Sequence, residues 1–186
     1  REAINLTRRA QKAGIDASLQ VAPYYNKPSQ EGFYRHFTAI ADAVDLPMMI
    51  YNIPGRTGKN IENPTMVRMA EHTNIQAVKE ASGSIPQVMN LIAEKPEDFA
   101  VLSGDDNLGF PIMCLGGKGI VSVASNIIPG RMNRFAASLL EGNLEGARKE
   151  FYQLLPLFRA MFFDTNPIPV KYAVSAMGMM NESYRL

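Results

Sequence analysis

The sequence predicts an α/β fold: an eight-stranded βα (TIM) barrel, of which this chain holds an incomplete portion of about five strands with a C-terminal helical appendage. Three observations lead to this prediction. Five short apolar segments alternate with amphipathic helical segments along residues 1–127. The connections suit right-handed helical crossovers, which join parallel strands. The unusual polar loop residues all follow strands, at the carboxyl face on which barrel active sites are built.

A doubly wound open sheet is the alternative architecture. No glycine-rich phosphate loop stands between a strand and a helix, which favours the barrel. A complete barrel with its helices typically has about 250 residues, whereas this chain has 186. Five barrel strands alone would leave two open edges. We therefore expect the chain to be a portion of a longer protein.

The first half of the chain alternates between helical spacing and strand-like runs. Apolar residues from Ala3 onward recur at helical intervals until Gly14, where a helix would stop. Phe33 and Phe37 mark the face of the next helix. The pair Asn63-Pro64 opens another helix. The predicted elements are helices over 1–14, 33–44 and from 63, and strands over 18–23, 46–51 and 75–79, with a turn at 52–55.

The second half continues this alternation and then becomes helical throughout. A helix is predicted over 85–95, a strand over 99–103, a short helix over 108–115 and a last strand over 119–124. Beyond residue 127 only helical patterns occur, over 127–140, 144–163 and 169–177. No repeat of solenoid length interrupts the chain. The sequence therefore predicts a barrel portion over 1–127, followed over 128–186 by the last barrel helix and a helical extension.

The strand that ends at Lys79 is the strongest chemical signal in the chain. Buried parallel strands are almost continuously apolar, so an ammonium group at the end of one is exceptional. Desolvation there would lower the pKa of the lysine and leave a free amine able to attack a ketone. The alternative is a lysine whose flexible stem extends past the strand end to water.

Composition excludes several classes of partner. The chain carries a net charge of +1 with 46% hydrophobic residues, so we expect neither a nucleic-acid nor a membrane partner. The single Cys114 lies in an apolar run and is predicted to be a small buried thiol. One cysteine excludes an internal disulfide framework and suits a reducing, cytoplasmic compartment.

Six motifs occur in order along essentially the whole chain. They are Tyr24-Tyr25-Asn26-Lys27-Pro28-Ser29-Gln30-Glu31-Gly32, Tyr51-Asn52-Ile53-Pro54-Gly55-Arg56-Thr57-Gly58, Val78-Lys79-Glu80-Ala81-Ser82-Gly83, Gly104-Asp105-Asp106, Gly116-Gly117-Lys118-Gly119-Ile120-Val121-Ser122-Val123 and Asn166-Pro167-Ile168-Pro169-Val170-Lys171. Any one of these motifs is weak evidence, whereas six in register are specific. Together they resemble the dihydrodipicolinate synthase family of the pyruvate-dependent class I aldolases, a superfamily that includes N-acetylneuraminate lyase.

The resemblance implies a Schiff-base lyase in lysine and diaminopimelate biosynthesis. Lys79 would bind pyruvate covalently as a Schiff base, and the derived enamine would attack L-aspartate 4-semialdehyde to give 4-hydroxy-tetrahydrodipicolinate. Tyr51 would shuttle protons beside Lys79. Tyr25 matches the tyrosine that the family inserts from a neighbouring subunit to complete a hydroxyl relay, which a phenol needs at neutral pH.

The remaining matched positions imply substrate contacts. Arg56 would hold the carboxylate of the aldehyde substrate with its planar guanidinium. The main chain at Gly104 and Val121 would line the pyruvate pocket, and Tyr24 would lie near an effector site. The resemblance implies no metal or organic cofactor, since the lysine is the electron sink, and a homo-oligomer, dimer or tetramer.

Several alternatives remain open from the residues alone. Tyr51 and Tyr25 could be rim packing, Arg56 a solvated turn residue, and the Gly104 turn a cap for the next helix. The family's first three βα units, with the threonine pair of the relay, have no counterpart here. Another pyruvate aldolase, acting on 2-keto-3-deoxy sugar acids or on N-acetylneuraminate, is an alternative function. A catalytically incompetent fragment or scaffold is another.

Overall fold

Nine α-helices and five strands make up the described structure, a computed structural model that describes residues 1–185. Helices and strands alternate up to β5, as the sequence predicts, except that two helices lie between β2 and β3. In chain order the elements are α1 (Glu2–Lys12), β1 (Ser18–Val21), α2 (Gln30–Ala41), β2 (Met48–Asn52), α3 (Pro54–Thr57), α4 (Asn63–Ala70), β3 (Ile75–Glu80), α5 (Ile85–Glu94), β4 (Ala100–Ser103), α6 (Asp106–Cys114), β5 (Gly119–Ile120), a 3-10 turn (Ala124–Asn126), α7 (Pro129–Leu140), α8 (Leu144–Ala160) and α9 (Ile168–Ala176).

The strands form one sheet in which spatial order follows chain order, from β1 to β5. The pairings of β1 with β2 and of β2 with β3 are parallel. Strands in this order need a crossover between each pair, and a helix supplies each one. The prediction of an α/β fold with five parallel strands is confirmed.

The chain forms two compact units, one of residues 1–102 and 115–117 and one of residues 103–114 and from 118 onward. Each unit is a group of residues that pack mainly against one another. The predicted boundary at residue 127 separates barrel from extension, which is a different property, and it stays a prediction.

The first unit has its core between the sheet and its helices. Phe33 and Phe37 of α2 are fully buried, as are Ile50 of β2 and Val78 of β3. Met66 and Met69 of α4 are buried and complete this layer. Ser29 and Ser84 accept a hydrogen bond from the first turns of α2 and α5, so both helices begin where their caps lie.

The second unit has a separate core formed by α6, α7 and α8. Phe135 of α7 and Phe158 of α8 are each 1% exposed. Phe151 of α8 lies between them and Phe110 of α6, with ring centroids 5.3 Å from Phe110 and 6.3 Å from Phe135. Such aromatic contacts add to the free energy of apolar burial. Asn143 caps α8 by accepting from the amide of Gly146.

Strand β5 is shorter than predicted. It ends at Ile120, and the expected continuation to residue 124 bends into the 3-10 turn. The cause is the buried carboxylate of Asp106, whose Oδ2 accepts the amides of Val123 at 3.0 Å and Ala124 at 2.9 Å. Those two amides are thereby withdrawn from a strand ladder. The apolar pattern of residues 119–124 could not predict this end of the strand, because the acceptor, Asp106, is distant in sequence.

The prediction of a buried Cys114 is wrong. The thiol lies at the end of α6 and is exposed, whereas the preceding Ile112 and Met113 are buried. Partial burial nonetheless raises the pKa of Cys114 above its ordinary value, against the smaller opposing effect of Arg148. A raised pKa keeps the thiol protonated at neutral pH, which disfavours a nucleophilic role.

Candidate active site

Lys79 and Tyr51 lie side by side on β3 and β2. The register pairs Tyr51 with Lys79 directly across the two parallel strands, and both side chains are half-buried. The Nζ atom of Lys79 stands over the ring of Tyr51, 3.9 Å from its centroid. An aromatic face attracts an ammonium group by about 0.5–1 kcal/mol or more, so this contact restrains the long lysine stem. The structure therefore brings together the two central residues that the sequence predicted.

A buried polar pair occupies the next position on the same two strands. The register pairs Asn52 with Glu80, and their side chains are 0% and 2% exposed. Asn52 Nδ2 donates to Glu80 Oε2 at 3.0 Å. Glu80 Oε1 accepts the amide of Ser82 at 2.6 Å, which fixes the chain as it leaves β3. Because side chains alternate along a strand, this pair lies on the face opposite to Tyr51 and Lys79.

The polar pair continues into a network that reaches α5. Asn52 Nδ2 also donates to Asn60 Oδ1 at 2.9 Å, and Asn52 Oδ1 accepts the amide of Ile61 at 3.1 Å. Asn60 Nδ2 in turn donates to Gln87 Oε1 at 2.9 Å. Hydrogen bonds of this kind offset the cost of burying polar groups in a core. The network ties the segment after β2 to both strands.

Arg56 belongs to the segment that this network holds. It lies in the single-turn helix α3 and is exposed. The neighbouring Thr57 is buried, and its hydroxyl donates to the carbonyls of Ile53 and Lys59 at 3.0 Å. Gly58 ends α3 with φ +75°, a left-handed conformation that glycine adopts without strain. The sequence predicted a turn here, and the structure shows a short helix closed by that glycine.

Tyr25 occupies a tight turn that displays its ring. The amide of Asn26 donates to the carbonyl of Tyr24 at 2.8 Å, and Tyr25 between them has φ +67°. This is a γ-turn of the rare kind, which is strained for a residue with a side chain. The side chain of Tyr25 is 91% exposed and that of Tyr24 67% exposed. The chain as described therefore does not pack Tyr25 under the Lys79–Tyr51 pair.

Gly104 and Val121 lie together in the second unit, just after β4 and β5. The amide of Val121 donates to the carbonyl of Ser103, the residue before Gly104, at 2.8 Å. Gly104 is buried and Val121 half-buried. The Gly104 turn is held by Ser103, whose hydroxyl donates to the carbonyl of Asp105 at 2.7 Å. Asp106 directs its carboxylate to the amides of residues 123 and 124, so it is not simply a cap of α6.

Sequence reasoning missed the roles of Asn52, Glu80, Asn60 and Gln87. One signal was present: Glu80 is a charged residue at a position where strand alternation demands burial, one step from the candidate lysine. Asn52 follows Tyr51 in the same way. Two polar residues at matching steps of two neighbouring parallel strands indicate a cross-strand bond. The roles of Asn60 and Gln87 could not be predicted, because neither residue lies on a strand whose pairing would indicate its partner.

Two features are absent from residues 1–185, the range that the structure describes. Within that range, no group of three or more His, Cys, Asp or Glu side chains is arranged to hold a metal ion. Among the same residues, no helix has the length and apolar character that crossing a bilayer requires. The expectation that the chemistry needs no cofactor stays a prediction.

The fold and site define an α/β protein of consecutive parallel βα units with a lysine amine over a tyrosine ring at the strand ends. The sequence pattern of the dihydrodipicolinate synthetase family matches residues 1–186. The chain belongs to this family.

Individual relatives agree with this assignment. The chain is 52% identical to the 4-hydroxy-tetrahydrodipicolinate synthase of Prosthecochloris aestuarii, over all of this chain and 63% of that protein. The structure of the enzyme of that name from Methylacidiphilum fumariolicum superposes with a TM-score of 0.98 at 46% identity, over all of this chain and 62% of that one. The dihydrodipicolinate synthase of Acinetobacter baumannii complexed with pyruvate superposes with a TM-score of 0.97 at 44% identity, over all of this chain and 64% of that one. The chain thus spans just under two thirds of the length of these relatives.

Proposed function

We propose that the protein carrying this chain is a lyase that condenses pyruvate with L-aspartate 4-semialdehyde through a Schiff base on Lys79, giving 4-hydroxy-tetrahydrodipicolinate. The observation that carries this proposal is the placement of Lys79 Nζ at the end of a sheet strand, 3.9 Å from the ring centroid of Tyr51. A relative of 44% identity is named as a pyruvate complex, which supports the choice of the first substrate.

The chemistry follows from an amine held beside a phenol. The Lys79 amine adds to the carbonyl carbon of pyruvate, and loss of water gives an iminium ion in which nitrogen withdraws electrons. The methyl group then loses a proton to form an enamine, whose carbon attacks the aldehyde carbon of the second substrate. The aldehyde oxygen takes up a proton and becomes the hydroxyl group of the product. The amino group of the same substrate then adds to the iminium carbon and expels the Lys79 amine, which closes the ring and frees the enzyme.

Proton transfer is the task we assign to Tyr51. Attack on the ketone needs the neutral amine, so a group near Lys79 must accept a proton from its ammonium form first. The hydroxyl of Tyr51 is the candidate beside it. Tyr25, held in a strained turn with its ring in solvent, has the geometry of a residue that reaches into a neighbouring subunit, and strain of this kind is concentrated at functional sites.

Substrate binding falls to the other predicted residues. Arg56 is exposed on a helix that the buried network anchors, which suits a guanidinium that receives a carboxylate from solvent. The adjacent main-chain segments at Gly104 and Val121 supply amides and carbonyls for the small ketoacid. Tyr24, 67% exposed next to Tyr25, is proposed to lie by an effector site at a subunit interface. We also propose that the full-length protein forms a homodimer or homotetramer and acts in the cytoplasm.

Aldehyde selectivity tests the proposal against its relatives in the superfamily. The full-length protein is given pyruvate with L-aspartate 4-semialdehyde, with N-acetylmannosamine or with glyceraldehyde, and pyruvate consumption is followed. Turnover with the semialdehyde, at least about a hundredfold more efficient than with either sugar-type aldehyde, is expected because a site that binds a charged group rejects partners lacking it. Preference for a sugar-type aldehyde would assign the protein to another aldolase class. Absence of turnover with all three would favour a scaffold.

A further inference from the structure

Asn52 and Glu80 form a buried polar pair whose presence thermodynamic stability alone does not explain. Their side chains are 0% and 2% exposed inside a sheet whose neighbouring buried positions are Ile50 and Val78. Burying a carboxylate is costly even when it is paired, and apolar residues of similar volume often serve a core as well or better. Buried polar pairs are best attested as devices that fix a register.

The register places this pair one residue beyond the candidate catalytic pair. Tyr51 lies opposite Lys79 and Asn52 lies opposite Glu80, on the same two strands. The pairing of β2 with β3 is irregular at its other end, where a shift occurs between Met48 and Met49. A slip of one residue turns every side chain of a strand to the other face. A specific hydrogen bond at the carboxyl end therefore has a clear task, which is to keep the amine of Lys79 beside the ring of Tyr51.

The described hydrogen bonds employ both oxygens of Glu80 and both polar atoms of the Asn52 amide. Glu80 Oε2 accepts from Asn52 and Oε1 from the amide of Ser82, while Asn52 Oδ1 accepts the amide of Ile61. Through Ile61 and Asn60 the same bonds anchor the segment that carries Arg56. One network thus holds β2, β3 and the loop between β2 and α4.

On the basis of the function proposed above, we propose that Asn52 and Glu80 are positioning residues for the Schiff-base reaction, which align Lys79 with Tyr51 through a cross-strand hydrogen bond on the opposite face of the sheet. They touch no substrate, because the helix-covered face that they occupy is not the face of Lys79. Misplacement of reacting groups by about 1 Å lowers the reaction rate by up to about a hundredfold. Loss of the alignment should therefore lower kcat.

A donor–acceptor swap tests this alignment. In Glu80→Gln, the new amide faces the amide of Asn52 if it keeps its bond with Ser82, so one bond is lost. In Asn52→Asp, two carboxylates face each other. The double variant N52D/E80Q restores the cross-strand bond in reverse, since the introduced glutamine donates its amide to the introduced aspartate while its oxygen still accepts from Ser82. The donation from position 52 to Asn60 Oδ1 is lost equally in Asn52→Asp and in the double variant, so these two are the matched comparison. Glu94→Gln, on an exposed position of α5, is the matched control for the loss of a carboxylate.

The full-length protein and its variants are compared in steady-state kinetics and in the rate of pyruvate adduct formation trapped with borohydride. We expect kcat and the trapping rate to fall by about ten- to a hundredfold in each single variant, with a smaller change in KM for pyruvate. The double variant should be at least about fivefold more active than Asn52→Asp, which lacks the same bond to Asn60, and Glu94→Gln should be unchanged. Unchanged kcat in folded single variants would overturn the inference, as would a double variant that regains thermal stability without regaining kcat.

A second readout needs no substrate and separates this inference from the proposed function. Because Lys79 Nζ lies over the ring of Tyr51, we expect the NMR signals of the Lys79 ε-methylene to be shifted upfield, and Lys79→Arg identifies those signals by their loss. The upfield shift should vanish in each single variant and return in the double variant. Its persistence in the single variants refutes the positioning role, whether or not the protein turns over pyruvate. If the upfield shift is present in the parent, lost in the single variants and regained in the double variant, the positioning role holds. If that parent nevertheless forms no pyruvate adduct, only the proposed function is refuted. Should a single variant fail to fold, Glu80→Asp, which withdraws the carboxylate by one methylene, replaces it with the same expected losses.

Discussion

The ring of Tyr51 and the amine of Lys79 form the contact from which the proposed chemistry follows. The ring restrains the amine, and the hydroxyl on that ring is the proposed proton carrier. These two tasks use different parts of one side chain. They can be separated by a substitution that removes the hydroxyl and leaves the ring.

The substitution Tyr51→Phe should lower kcat by about a hundredfold or more, because general acid–base groups typically contribute factors of this size. KM for pyruvate should change little, since the ring that restrains Lys79 remains. Steady-state kinetics of the full-length protein measure both values. Tyr152→Phe, at an exposed position of α8, is the control and should leave kcat unchanged. A Tyr51→Phe variant with full kcat would remove Tyr51 from the proton path.

Helix α3 illustrates how a short element depends on its glycine. Gly58 closes it in a left-handed conformation, and a Cβ atom there would lie 2.8 Å from Cε of Lys27. Gly55 lies within the same helix with nothing within 4 Å of the corresponding position. The two glycines differ in conformation and surroundings, so they make a matched pair.

The substitution Gly58→Ala should lower the free energy of unfolding by about 1–2 kcal/mol, because alanine at positive φ is strained and the new methyl group displaces the Lys27 stem. Gly55→Ala should be neutral or stabilising by a few tenths of a kcal/mol, since it reduces the entropy of the unfolded chain. Urea denaturation of the full-length protein gives both values. Equal effects at the two positions would contradict the role assigned to the left-handed turn.

Helices α7 and α8 are joined by an ion pair with a definite pH dependence. Arg131 Nε donates to Glu150 Oε1 at 2.8 Å. This hydrogen bond is the main reason why the pKa of Glu150 lies below its ordinary value of 4.5. A carboxylate with a depressed pKa stabilises the fold above the unfolded-state pKa, and this contribution is lost as the pH falls through the folded-state value.

The substitution Glu150→Gln should therefore lower the free energy of unfolding at neutral pH by about 0.5 kcal/mol, a size typical of partly exposed pairs. The difference between the two proteins should shrink as the pH falls from about 4.5 through the lower folded-state pKa of Glu150, below which both side chains are neutral. Urea denaturation at about pH 7 and about pH 3 measures it. The same substitution made in an Arg131→Gln background should have little effect. A difference that grows on acidification would contradict the assignment.

The elements that sequence predicted well are those with a strong local period. All five strands and most helices were found because burial on one or both faces leaves a repeat in the chain. Features decided by distant partners were not found: the end of β5 depends on Asp106, and the exposure of Cys114 depends on where α6 stops against its core. The Lys79–Tyr51 pair was predictable from motif and strand ends, whereas the Asn52–Glu80 bond needed the register.

At the scale of the whole molecule, the exposed Tyr25 is relevant to how subunits assemble. If Tyr25 completes the proton relay of a neighbouring subunit, as proposed, it acts in trans. The strained turn and the 91% exposed side chain fit such a residue. A site shared between subunits can be rebuilt from two defective chains.

Mixed oligomers of Tyr25→Phe and Lys79→Ala chains should be more active than either parent variant. In a two-fold dimer, one site of each hybrid pairs an intact Lys79 with an intact Tyr25, so random mixing should restore about a quarter of the wild-type activity. Co-refolding the two chains in equal amounts and assaying turnover measures this. Mixtures no more active than the average of the separate variants would show that Tyr25 acts within its own chain or not at all.

Covalent trapping on Lys79 tests the central claim most directly. The full-length protein is incubated with pyruvate and borohydride, digested, and mapped by mass spectrometry, with Lys79→Arg treated in parallel. The account predicts one reduced pyruvate adduct, located on Lys79 and absent from Lys79→Arg. An adduct on a different lysine, or none on a folded protein, would contradict it.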